Sequence, residues 1–78
     1  MKTHRFTLIL PNLDDETAER ISAQCPDASA GRHHGTPYVA FDREADSLET
    51  AIDSAAANLQ ALGVRPVRVE MEVPAGAN

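Results

Sequence analysis

The chain has 78 residues, of which 42% are apolar and only 4% aromatic. That is one domain with a small aliphatic core, in the size range where net stability is about 3 to 5 kcal/mol and association helps. Twelve Asp and Glu against seven Lys and Arg leave a formal charge of -5, which disfavours a polyphosphate ligand unless the cations gather on one face.

They do not gather in sequence: Lys2, Arg5, Arg20, Arg32, Arg43, Arg65 and Arg68 are scattered, and only Lys2, Arg5, Arg65 and Arg68 would meet, if the two ends pair. Cys25 is the single cysteine, so no internal disulfide forms and a reducing, cytoplasmic setting is expected. The apolar run at residues 6–10 is too short for a signal-peptide core and is broken by Pro11-Asn12. Nothing in the sequence predicts a membrane span.

Phe6, Leu8 and Leu10 alternate with Arg5, Thr7 and Ile9, the two-residue period of a strand with one buried face. Asp14 or Asn12 can cap the helix that follows, with Asp15 and Glu16 favoured at its positive end. Ala18, Ile21 and Cys25 fall on one face of that helix, Leu13 packs ahead of them, and Pro26 stops it. Residues 27–32 are short and polar, with Ala28 and Ala30 alternating, and read as a weak edge strand.

His33-His34-Gly35-Thr36 reads as a turn in which Gly35 takes a positive φ, and Pro37 restarts the extended chain. In residues 38–42, Val39 and Phe41 are assigned to the core, with Tyr38, Ala40 and Asp42 on the other face. Leu48, Ile52, Ala55, Leu59 and Leu62 form one apolar helical stripe. Asp46 with Glu49 suits a capping box, and Gly63 suits the left-handed closing residue. Val67, Val69, Met71 and Val73 alternate with Arg68, Glu70 and Glu72, a strand with one apolar and one charged face, and residues 74–78 should fray.

The expected organisation is a single domain over residues 1–73 with a flexible tail at 74–78. The order β-α-β-β-α-β predicts a ferredoxin-like α+β fold, a four-stranded antiparallel sheet with two helices on one face and the other face open. In that plan the first and third strands are central and the second and fourth are edges. Pro66 and the charged residues suit the fourth strand to an edge. Exchange of chain ends between two protomers is a competing layout.

Candidate chemistry is sparse. His33-His34 is tempting for a metal, but adjacent strand residues point to opposite sides, so a site would need His4, Cys25 or Asp27, and no ligand spacing links them. Cys25 shares a face with Ile21 and reads as a core residue; a nucleophilic thiolate wants positive surroundings, which a helix C-terminus and Asp27 do not supply. Asp14, Asp15, Glu16 and Glu19 are explained by capping and a solvated face, not by a cation loop. Asp42-Arg43-Glu44 reads first as a structural ion pair or turn.

Single-stranded RNA readers of this topology stack bases on aromatics from both central strands, whereas only Tyr38 could stack here, so nucleic acid is disfavoured. Gly31, Gly35, Gly63 and Gly76 lie in separate turns and the tail, without a phosphate-binding pattern. Acyl-phosphate cleavage on this plan needs an arginine in the loop after the first strand, and that loop is Pro11-Asn12-Leu13-Asp14. No nucleophile is paired with a base, so no enzyme and no cofactor are expected, and a catalyst using Asp42, Tyr38 or a histidine ranks last.

Tyr38-Val39-Ala40-Phe41-Asp42-Arg43-Glu44-Ala45, followed by Ser47-Leu48, Ala51-Ile52 and Ser54-Ala55, resembles a family of small bacterial proteins of unassigned biochemistry. Cys25, Asp27-Ala28, Gly63-Val64 and Val67-Arg68-Val69-Glu70 extend the likeness over nearly the whole chain. Longer members of that family continue past the fourth strand into a helix-turn-helix segment, which implies a DNA-linked regulatory role for them. Here only residues 74–78 follow Val73, so the resemblance implies a sensing or dimerising portion of a transcriptional regulator and no DNA-contacting residue.

The leading expectation is therefore a non-enzymatic association or regulatory module that self-associates as a homodimer through the open sheet face or an edge strand, or meets another protein. The expected interaction surface is Thr7, Ile9, Tyr38, Ala40, Asp42, Arg43 and Arg68. The alternative is a small-ligand sensor, resembling amino-acid-binding regulatory domains of this topology, with its ligand near Pro11-Asn12-Leu13.

Overall fold

A computed structural model describes residues 2–71. Its elements run β1 (Lys2–Ile9), α1 (Asp15–Gln24), β2 (Ala28–His33), β3 (Thr36–Ala45), α2 (Leu48–Ala61) and β4 (Arg68–Glu70). The four strands form one antiparallel sheet in the order β2-β3-β1-β4, so β1 and β3 are central.

One core joins the sheet to both helices. On the strands it takes residues of one parity, Phe6, Leu8, Val39, Phe41 and Ala45; from the helices come Ile21, Ala51, Ala55 and Leu59, and Cys25 fills the end of α1. Direct cross-strand pairing sets Phe6 opposite Phe41 and Leu8 opposite Val39. The two phenyl rings stack at 5.5 Å, a contact that adds to the burial of their area. Both helices therefore lie against the same face of the sheet, α1 chiefly over β2 and α2 over β3 and β1.

The ends of α1 follow from its sequence. The Asp14 carboxylate accepts from the Thr17 N–H at 2.7 Å, and the helix closes at Cys25 just before Pro26. At α2 the cap is Ser47, whose hydroxyl accepts from the Thr50 N–H at 3.1 Å, and not Asp46. Asp46 stands one residue too early to reach that donor, because the first helical residue is Leu48. At the other end Gly63 has φ +80, as a left-handed closing residue should.

The connection between β2 and β3 is tighter than a four-residue turn. His33 and Thr36 are the last and first residues of paired strands, leaving His34 (φ 50) and Gly35 (φ 78) as a two-residue hairpin loop. Positive φ at both positions matches the twist of the flanking strands.

The last strand departs most from expectation. Of the residues described there, Val67, Val69 and Met71 are expected on the apolar face of the strand, yet β4 spans only Arg68–Glu70, leaving Val67 and Met71 outside it, and the three are 59%, 40% and 52% exposed. Val69 pairs with Leu8 and so faces the helix side, but α2 packs over β3 and β1 and leaves β4 uncovered. The expectations for Glu72, Val73 and residues 74–78 lie outside the described residues.

Candidate functional site: the open sheet face

The face of the sheet away from the helices carries a groove of about 530 Å³. Its walls follow from strand alternation. Thr7 and Ile9 come from β1, Thr36 and Tyr38 from β3, His33 and His34 from the end of β2 and its loop, and Arg68 and Glu70 from β4. Cross-strand register sets Ile9 between Tyr38 and Arg68, and Thr7 opposite Glu70.

Ile9 forms the floor. Although Ile9 belongs to the expected interaction surface, it is only 6% exposed, with Tyr38 and Arg68 flanking it on the same face. The apolar contribution of this face is accordingly smaller than the sequence pattern implies. Tyr38 is itself positioned by a glycine. A Cβ built on Gly31, its direct cross-strand partner, would lie 2.7 Å from the Tyr38 hydroxyl and 2.9 Å from the ring carbon that bears it. The phenol ring therefore leans over Gly31 toward the edge of the sheet, where any larger residue would displace it.

Two ion pairs lie on this face. The Arg68 guanidinium donates to the Glu70 carboxylate at 3.0 and 3.1 Å, both side chains being more than half exposed. Arg5 donates to Asp42 at 2.7 Å across the β1–β3 pair. The rings of His33 and His34 meet edge to face at 4.2 Å. Among the described residues, no group of three or more His, Cys, Asp or Glu side chains is arranged to hold a metal ion.

Of the residues expected to form an interaction surface, Thr7, Ile9, Tyr38 and Arg68 are brought together in the groove. Ala40 and Asp42 share the face but lie farther along β3. Arg43 is a correction: it has the parity of Val39 and Phe41 and turns to the helix side. There its guanidinium grips Asp27 with two hydrogen bonds of 2.8 and 3.0 Å and donates to Ser54 Oγ at 3.1 Å and Asn58 Oδ1 at 2.7 Å. It also stands 5.0 Å over the Phe41 ring. The hydrogen bonds from Arg43 hold the Asp27 carboxyl below the usual aspartate range, and Asp27 holds the guanidinium above its own. Arg43 thus ties β3 to the α1–β2 turn and to α2, which is the structural ion-pair reading of Asp42-Arg43-Glu44 with Asp27 as the partner.

Thr36 and Glu70 are absent from the expected interaction surface, and His33 and His34 enter the sequence reading only as weighed metal ligands. The available signal was the parity of β3: extending the alternation from Tyr38 to Thr36 places Thr36 and its hairpin partner His33 on the open face. A second, smaller hollow of about 250 Å³ lies between the ends of the helices, lined by Pro11, Asn12, Leu13, Thr17, Gly63, Val64 and Arg65. Arg32 bonds the Leu13 carbonyl beside it. No helix among the described residues is long and apolar enough to cross a membrane. Compared with protein-family models, curated proteins and solved structures, the chain matches none.

Proposed function

We propose that the chain is a ferredoxin-like, non-enzymatic association module that works by pairing with a second copy of itself. The strand order, with two central and two edge strands and both helices on one face, supports the split β-α-β plan. The observation that carries the association reading is Val69, left uncovered on the edge strand β4, with exposed Val67 and Met71 just outside its two ends. Large apolar side chains on an open edge gain by being covered, and a domain this small gains stability with them. The edge strand is a better surface than the open face, because the apolar floor of that face, Ile9, is already covered.

The likeness read in the sequence, to small bacterial proteins whose longer members carry a helix-turn-helix segment, favours a regulatory setting, in which this domain dimerises a transcriptional regulator in the cytoplasm. Sedimentation equilibrium from low to high micromolar concentration tests the association. A mass that rises toward twice 8.4 kDa is expected, and a constant monomer mass would sink the reading.

The second reading, a small-ligand sensor, is favoured by the hollow at Pro11, Asn12 and Leu13. Thermal-shift screening of amino acids checks it. A rise in melting temperature that disappears in Arg65→Ala would support it, and a flat response across the set would remove it.

A further inference from the structure

We infer that the second copy joins at β4 by antiparallel strand pairing about a two-fold axis at Val69, so that Arg68 of each chain faces Glu70 of the other. This deepens the association reading and rests on it. Two independent features lead to the same register, one from the main chain and one from the side chains.

The main-chain feature is which groups point outward. Leu10 donates to the Pro37 carbonyl at 3.0 Å, so the even-numbered residues along β1 bond to β3. Thr7 and Ile9 are left to bond to β4, where their partners are Glu70 and Arg68. Arg68 and Glu70 therefore direct their main-chain groups inward, and the N–H and C=O of Val69 lie on the outer edge. Among the described residues no strand pairs with that side. A two-fold axis at Val69 lets those two groups bond their counterparts in a second copy.

The side-chain feature is self-complementarity. With the axis at Val69, Arg68 lies opposite Glu70 of the second copy, and Glu70 opposite its Arg68, on the open face. On the helix side Val69 meets Val69 across the axis, covering a side chain that is 40% exposed. Moving the axis to Arg68 or to Glu70 sets like charges directly opposite, which is destabilising. Moving it between residues sets Arg68 against Val69 and mixes charge with an apolar side chain. Parallel pairing in register repeats Arg68 on Arg68. An edge guarded against pairing carries charges that repel their own copies; β4 carries one of each sign, two residues apart. The Arg68–Glu70 bond within each chain joins two exposed side chains, so exchanging it for the same bond between chains costs little.

The test is a charge exchange followed by sedimentation equilibrium. Arg68→Glu and Glu70→Arg should each weaken the dimer about tenfold by setting two like-charge pairs across the axis, and the double variant should restore wild-type affinity. Val69→Cys should give a disulfide-linked dimer under mild oxidation, since Cys25 is buried and does not compete. Unchanged melting temperatures at low concentration would show that the variants fold. A dimer indifferent to both single exchanges, or a double variant as weak as the singles, overturns this register and leaves the association reading standing. A wild-type chain that stays monomeric overturns both.

Discussion

Arg43 shows how one side chain can stitch three elements together without any part in a site. Its four hydrogen bonds reach the α1–β2 turn at Asp27 and the outer turns of α2 at Ser54 and Asn58. Side chains of Arg43 and Asp27 are 14% and 29% exposed, so the pair is screened less than a surface bridge. Replacing Asp27 with Ala is expected to cost about 1 to 3 kcal/mol in urea unfolding, because it leaves a partly buried guanidinium with fewer partners. The sign of the pH effect follows from the direction of the shift. The folded carboxyl titrates below the unfolded value of about 3.9, so its stabilisation is complete above that pH and is lost as pH falls through the lower, folded value. Asp27→Asn should therefore flatten the acid limb of a stability-against-pH curve compared with wild type. Equal acid sensitivity in the two proteins would assign that limb to other carboxylates. The pairing itself was not legible in sequence: Asp27 and Arg43 lie sixteen residues apart, and only the folding of β2 onto β3 brings them together.

At the scale of elements, the two ends of the β2–β3 hairpin and the start of α2 are the informative places. Ser47→Ala should lower stability by about 1 kcal/mol, as loss of a helix cap does, while Asp46→Ala should stay within about 0.5 kcal/mol. The reverse ranking in thermal or urea unfolding would move the cap to Asp46. His34 holds φ 50 without being glycine or asparagine; His34→Asn is expected to raise stability by up to about 1 kcal/mol by relieving that conformation. A destabilised variant would mean that the His33–His34 ring contact outweighs the backbone cost. Helix stripes and strand alternation were readable because they depend on periods of 3.6 and 2 residues. Ala51, fully buried and absent from the expected stripe of α2, was missed because alanine is compatible with either face of a helix.

For the whole molecule, the decisive property is that, among the described residues, the sheet has four strands and the helices cover three of them. β4 is left as an edge with Val69 uncovered, and the charge of -5 does not prevent self-pairing where Arg68 and Glu70 alternate in sign. If two copies pair there, thermal unfolding becomes concentration-dependent: the melting temperature should rise with protein concentration, and Val69→Lys should abolish the rise. A concentration-independent midpoint in both proteins would contradict the dimer. The groove on the open face is a property of this scale too, since His33, Tyr38, Ile9 and Arg68 come from four different strands.

By itself the sequence determined the mixed α+β class, the order of the six elements and most of the core, including Phe6, Leu8, Ile21, Val39, Phe41, Ala55 and Leu59. Those properties are written in local periodicity, proline stops and cap-forming side chains, which act within a few residues. Tertiary structure alone decided which apolar faces are covered. Val69 and Leu8 carry equally clear strand patterns, and only the reach of α2 across the sheet buries one and exposes the other. It likewise decided that Arg43 is a structural clamp and Ile9 a covered floor, because both depend on neighbours distant in sequence.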